Sequence, residues 1–571
     1  MKYKYYNDVN VINKVSYPSP GNHTSIDIPP IINFIDRCGT VLTKPVITKQ
    51  MRETHASQPF MTFDDDVEAL YQAQIRRGEF AVNDLDLVVD MIFDAMAELP
   101  ELAKALGGGI SGILTLPNEE KAKGLTQIVE YLSEPQVPAK FCESYFARYS
   151  DKYFGDFIKN FNDPAPRGRK RVLFLAISPY FQILREAMFL RRLGYSPCLI
   201  YLRPIPEDLR TLMENTFDLT LKIPAHMGFL GAILDRLNVD LLHIQTWMVN
   251  AGLPLPRFAI ERKPEAATVC EFYDIISVYA EKDIFFNVWS SDPITVELDF
   301  GIEEFVCNHA DAVSMRCNPD VVATDMKNRW GAMPPTLQMW PYPVWEYTTF
   351  SEKKYSQDDG IIRFVYAGSL RVGAPEISVT VYFLPAVKKL LEQGFAVDIM
   401  HEPQTPVSTD IPHLRPYIEL MEENPKFRIL DGVPPHLLGK AISRYDFAFS
   451  FFDADFDTLK IKDIQRQTAI GTKSLSYVEA GLPMVVNSEF SDTAKFVNEN
   501  GLGFSIRSNE IGNIKNIVEN FDYAASVANI KNYVLNHSME KEIWRLGDLY
   551  HTALTAKGHM PALAPNRPGV G

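Results

Sequence analysis

Residues 472–487 read Thr-Lys-Ser-Leu-Ser-Tyr-Val-Glu-Ala-Gly-Leu-Pro-Met-Val-Val-Asn, a short amphipathic helix running into a buried strand. Leu475, Val478 and Leu482 recur at helical spacing, Thr472 can cap the amino end, and Gly481 with Pro483 stops the helix before the apolar run Met484 to Val486. The two charges sit at the wrong ends. Lys473 lies at the positive end of the helix dipole and Glu479 near the negative end, each forgoing about 0.3 to 1 kcal/mol. Local helix stability explains neither residue. An anionic ligand at the helix start accounts for the lysine, because free amides, dipole and ammonium would converge on it.

Helix followed by buried strand is one unit of a pattern that extends outward in both directions. Upstream lie strand-like runs at 361–367, 396–400, 427–430 and 446–452, separated by a Gly368 to Gly373 loop and helical patterns at 376–393 and 436–443. Further upstream the alternation occurs once before, with strands at 172–177, 198–202, 219–223, 240–244, 267–272 and 312–315. Strands alternating with helices predict doubly wound parallel sheets, so the fold class is α/β with two Rossmann-like domains. The polar stretch 351–360 separates them. The expected division is an irregular, then helical accessory region over 1–165 and a first domain over 166–350. A second domain with carboxy-terminal helices covers 351–557, and a frayed tail 558–571. In such sheets ligands bind beyond the carboxyl ends of the strands, where Gly368, Asp453 and Lys473 are expected to gather. The first turn, Ser178-Pro179-Tyr180-Phe181, has no G-x-G-x-x-G, so nothing points to a dinucleotide cofactor.

Composition narrows the classes. The 571 residues exceed what one hydrophobic core organises, and the formal net charge of -15 argues against a nucleic-acid coat. No apolar run reaches the roughly 20 residues that span a bilayer, and the polar start lacks a signal-peptide core, so the expected location is cytoplasmic. Six cysteines without a C-x-x-C pair read as reduced, buried thiols.

Four segments resemble the GT-B glycosyltransferases, most closely the glycogen-synthase-like family 4. Asp240-Leu241-Leu242-His243-Ile244-Gln245 is similar to that family's D-x-x-H-x-H strand end, and Ala310-Asp311-Ala312-Val313-Ser314 to its A-D-A-V strand. Val365 to Arg371 resembles the strand and glycine loop that open the donor domain, and Lys473 to Val486 the short helix ending in E-A-x-G-x-P-V-V. The resemblance covers about residues 170–557. It implies a nucleoside-diphosphate sugar as donor, with Gly368, Ser369 and Arg371 facing the diphosphate, Lys473 neutralising it, Glu479 accepting from the ribose, and Gly432 and Val433 near the base. It also implies a glycan, lipid-linked or protein acceptor, no cofactor and no metal requirement. Charge-assisted hydrogen bonds to a diphosphate, at roughly 1.5 to 3 kcal/mol each, outweigh the dipole terms they oppose. Cations and amides aimed at a leaving diphosphate are also the direct way to lower that barrier.

The chain departs from the family in two places. Gly471 stands where a first glutamate is often found, although Lys473, Tyr477 and Gly481 fit the K-x-x-x-Y-x-x-x-G pattern of some relatives, and Gln245 replaces the second histidine. Stereochemistry is not legible from these residues. For a catalytic base or acceptor-orienting group the candidates are Asp274, Glu271 and His243, at strand ends of the first domain. Against them stand a loop-capping role for Asp274 and a satisfied core histidine for His243. Asp453-Ala454-Asp455-Phe456-Asp457 mimics a D-x-D metal motif but lacks the glycine and glutamate of a calcium loop. Two other readings stay open: a sugar-nucleotide epimerase of the same fold, and a binding scaffold without catalysis.

Overall fold

The computed structural model describes most of residues 68–98, then 109–132, 139–246, 253–287, 293–370, 383–402, 407–452 and 460–560. Two parallel sheets dominate it. The first is built from Lys170–Ala176 (β1), Tyr195–Tyr201 (β2), Leu219–Lys222 (β3), Leu241–Thr246 (β4), Ala267–Phe272 (β5), Ala312–Met315 (β6) and Thr336–Gln338 (β7). Its spatial order is β3-β2-β1-β4-β5-β6-β7. The second comprises Arg363–Ala367 (β8), Ala396–Met400 (β9), Phe427–Leu430 (β10), Phe447–Ser450 (β11), Met484–Asn487 (β12) and Gly503–Ile506 (β13), in the order β10-β9-β8-β11-β12-β13. These are two Rossmann-like domains, as the alternation of strands and helices predicts. Strands such as β1, where Val172 to Ala176 are all buried, read as unbroken apolar runs because helices cover both faces of a parallel sheet.

Each sheet reverses its order once, between β1 and β4 in the first and between β8 and β11 in the second, and such switch points open a crevice at the carboxyl edge. Five helices position that edge. They are Ala139–Asn162 (α1), Phe181–Leu190 (α2), Met227–Leu234 (α3), Thr472–Glu479 (α4) and Met539–Ala556 (α5). Alternate residues of the first sheet face two cores. Leu242 and Ile244 join α3 and the accessory helices, while Val172, Phe174 and Leu241 join α2 and α5.

The accessory helices share their core with the first domain. Phe146 of α1 lies against Gly228, where an added Cβ would stand 2.5 Å from the ring, and a two-stranded ribbon pairs Gly78–Glu79 with Ala225–His226. At the other end of the chain, α5 leaves the second domain and packs Ile543, Leu546, Leu549 and Tyr550 on the first sheet. Chain order groups this helix with the second domain; its packing joins it to the first. Among the described residues no helix is long and apolar enough to cross a membrane. The described cysteines, Cys198, Cys270, Cys307 and Cys317, are free and buried.

Candidate functional site

The two carboxyl edges face each other. On the second domain, β8 ends at Ala367 and is followed by Gly368, whose φ of +145° is glycine territory. The missing side chain makes room for Lys473, since a Cβ on Gly368 would stand 2.4 Å from the lysine Cε. The ammonium lies 5.4 Å from the centroid of the Tyr366 ring. Burial lowers its pKa to about 8, the Arg316 guanidinium pushes the same way, and Glu402 pulls it back up. The Gly368 amide donates to the Met400 carbonyl at 2.9 Å, so that amide is committed to the sheet. Ser369 donates from its hydroxyl to Glu402 Oε2 at 2.7 Å. Tyr477 ties α4 to the strands, accepting from the Ala367 amide at 3.2 Å and donating to the Phe449 carbonyl at 3.3 Å. Gly432 and Val433 occupy the turn after β10 on the same edge, both partly exposed.

The first domain supplies Tyr180, Tyr273, Asp274 and Arg316. Arg316 directly follows β6, donates through Nε to the Tyr273 carbonyl at 2.6 Å, stacks 4.3 Å from the Tyr273 ring centroid and pairs with Asp274. Tyr180 packs on Tyr273 with centroids 4.5 Å apart and shares a hydrogen bond with Thr472 at the start of α4. A second bridge closes the far side, where Lys462 donates to the Ser277 carbonyl at 2.9 Å and pairs with Glu281 at 3.0 Å. Two cations from opposite domains, Lys473 and Arg316, thus face one crevice. The like charge of Arg316, itself paired with Asp274, is one of the reasons that the Lys473 pKa is lowered.

Glu479 lies elsewhere. Thr472, Ser476 and Glu479 share one stripe of α4, partly exposed at Thr472 and Ser476 and closed at Glu479. Glu479 is fully buried, and its Oε1 accepts from the Val344 amide at 2.7 Å while Oε2 accepts from Arg185 Nη2 at 2.9 Å. Arg185 also donates to the carbonyls of Pro341 and Tyr342 at 2.9 and 2.8 Å. The carboxylate expected to meet a ribose therefore fastens α2, α4 and the interdomain connection to one another. Its position on the helix is right for the crevice only one turn earlier, where Ser476 is partly exposed.

His243 and Glu271 also leave the crevice surface. Strand parity turns both toward α2 and α5, where they are fully buried. His243 Nδ1 is 2.6 Å from the Tyr550 hydroxyl, and Nε2 lies 3.9 Å from Glu186 Oε2 and 3.8 Å from Glu271 Oε2. Burial depresses the histidine to about 3 and raises both glutamates, Glu271 to about 8. Neither side chain reaches a substrate in the crevice from there. Of the expected acceptor-side groups, Asp274 alone stands at the edge, 28 % exposed beside Arg316. Arg371 and the Asp453-Asp455-Asp457 motif lie outside the described residues.

Several solved structures are similar to this chain at low identity. HepE from Anabaena, solved with UDP and glucose, aligns over 66% of this chain and 99% of its own at 13% identity and a TM-score of 0.46. The O-GlcNAc transferase of Thermobaculum terrenum aligns over 94% and 99%, at 13% and 0.43. Sucrose-phosphate synthase from Thermosynechococcus elongatus covers 68% and 100%, at 11% and 0.47. Glycosyltransferases are among its structural neighbours. No family model and no curated sequence matches the chain.

Tyr180, Arg185 and Arg316 were not singled out by sequence reasoning. Arg316 carried a usable signal, since it is the first residue past a strand in a sheet whose ligands bind there. Arg185 carried another, being a lone arginine among Ile183, Leu184 and Ala187 on a helix that must be buried.

Proposed function

We propose that this chain is a glycosyltransferase that moves a sugar from a nucleoside-diphosphate donor to a hydroxyl of a glycan, lipid-linked or protein acceptor. The observation that carries the reading is Lys473, seated in the hollow over Gly368 at the amino end of a helix and confronted by Arg316 of the other domain. Both cations would neutralise a diphosphate as its bond to the sugar breaks, and preorganised charge in a water-poor cleft does most where charge develops. Ser369 would extend the cradle; Arg371, expected at the diphosphate from the sequence, lies outside the described residues. Gly432 and Val433 would line the base, and Ser476, not Glu479, the ribose. Asp274, positioned by Arg316, would orient the acceptor hydroxyl from the opposite edge. Closure of the domains, already bridged by Tyr180 and Lys462, would keep water from the donor.

The test is a thermal-shift screen with nucleoside diphosphates, followed by donor turnover with and without acceptors. A ligand at 100 times its Kd adds about 2.7 kcal/mol to stability. Lys473→Ala is expected to weaken diphosphate binding about ten- to hundredfold, the loss of one charge-assisted contact. If no nucleoside diphosphate stabilises the wild type more than this variant, the reading fails. An epimerised donor formed without acceptor would replace it with an epimerase.

A further inference from the structure

The cluster beneath the crevice is a site in its own right. Gln182 and Glu186 project from α2, one helical turn apart, while His243 and Gln245 come from β4 and Glu271 from β5, with Gln245 and Glu271 paired in register. All five side chains are at most 1 % exposed. Five polar atoms among them lack any partner: Gln182 Oε1, Glu186 Oε2, His243 Nε2, Gln245 Oε1 and Glu271 Oε1. Every one is an acceptor, or can be. Donors are scarce, since the two amides give only long bonds, Gln182 to Glu186 at 3.2 Å and Gln245 to Glu271 at 3.4 Å. Among the described residues no lysine or arginine forms an ion pair with either carboxylate, and only the more distant Arg316 guanidinium acts on Glu271. A set of converging lone pairs without a paired cation is costly in a dry core, where buried carboxylates are otherwise paired or bound to metal.

We infer that Glu186, His243 and Glu271 bind one divalent transition ion, zinc by ligand type, as a structural centre that joins α2, β4, β5 and α5. One oxygen from each glutamate and the imidazole nitrogen lie within 4.8 Å of one another. Ligands about 2.0 to 2.2 Å from a tetrahedral zinc ion stand roughly 3.3 to 3.6 Å apart, so the spacings of 3.8 and 3.9 Å about Nε2 would shorten by a few tenths of an ångström on binding. Two carboxylates balance the ion's charge. The outer groups suit the role: the Tyr550 hydroxyl holds Nδ1 and thereby directs Nε2 inward, and the two glutamine amides orient the carboxylates. The unpartnered amide oxygens of Gln182 and Gln245 are the remaining candidate ligands. Because the site is closed to solvent, the ion is not a donor-site metal, and it would be taken up as the chain folds.

Metal content of the full-length protein, grown with zinc and purified without a metal-affinity step, decides the matter. About one equivalent of zinc per chain is expected. Dialysis against a strong chelator with mild warming should lower Tm by several degrees, and added zinc should restore it. The isosteric double variant Glu186→Gln/Glu271→Gln should lose the metal and show a Tm indifferent to chelator and zinc. X-ray absorption at the zinc edge of the wild type should show nitrogen and oxygen neighbours with one imidazole and no sulfur, a readout that needs no variant to fold. A wild type with under about a tenth of an equivalent, whose Tm responds to neither chelator nor zinc, overturns the inference and leaves a carboxyl pair sharing a proton. Sulfur ligation, or full metal in the double variant, overturns it equally.

Discussion

Lys473 concentrates the chemistry of the crevice, and its surroundings make two predictions. Gly368→Ala would drive a methyl group into the lysine Cε and put an L side chain at a φ of +145°, so diphosphate affinity should fall by about tenfold or more and Tm should fall as well, by the roughly 1 to 3 kcal/mol of backbone strain. Isothermal calorimetry and a melting curve on the same variant separate the two effects. The lowered lysine pKa sets a pH dependence. In the unfolded chain the ammonium persists to about pH 10.5, but in the fold it is lost through about 8. Between those values the unfolded state holds more protons, so this group destabilises the fold fully below about pH 8 and progressively less as pH rises toward 10.5. Binding runs the other way. A diphosphate draws the proton back, so affinity should decline above about pH 8, with net proton uptake visible as a buffer-dependent binding enthalpy at about pH 9 and a smaller one at about pH 7. An enthalpy independent of the buffer at both would remove Lys473 from the anion site.

At the level of elements, α4 shows where sequence reading succeeds and stops. Its limits, its apolar face and the buried strand after it were legible, because spacing and the Gly481 to Pro483 stop are local properties of the chain. So was the anomaly of the two charges. The solution for Glu479 was not legible, because its partner Arg185 is 294 positions away on a helix of the other domain. Burial of the pair makes it costly to break from one side: Arg185→Ala or Glu479→Ala should destabilise the protein by about 3 to 5 kcal/mol, while the apolar exchange Arg185→Met with Glu479→Leu should cost far less. Denaturation midpoints of the three variants check this. Equal losses in all three would mean that the hydrogen bonds to Pro341, Tyr342 and Val344, and not the charge pair, set the energy. The same limit explains His243 and Glu271. Both stand near strand ends in the sequence, as a crevice residue should, but parity along β4 and β5 turns them under α5, which arrives from almost 300 residues further on.

On the scale of the molecule, the two-sheet architecture was legible from the alternation of apolar runs, since each buried parallel strand announces itself. How the ends of the chain attach was not. The amino-terminal helices were expected as an accessory region, and they share one core with the first domain through Phe146, Tyr149, Phe157 and Phe161. A chain begun at Arg167 would uncover Phe229, Leu230 and the apolar face around them. Such a truncation should be insoluble or lose its melting transition, whereas removing the tail after Met560 should leave Tm unchanged. A soluble, cooperatively melting 167–571 fragment would show that the accessory helices dock without completing the core. The return of α5 has a consequence for biosynthesis. One face of the first sheet, covered in part by α2, cannot be completed by α5 until residue 556 has been made, although the sixth strand ends at Met315. At roughly 5 to 20 residues per second, the ribosome takes on the order of tens of seconds to cover that distance. The second domain, contiguous from β8 to β13, can close while the first still waits. The nascent chain therefore matures in the reverse of its reading order, and the open face during that interval is where a chaperone would have to hold it.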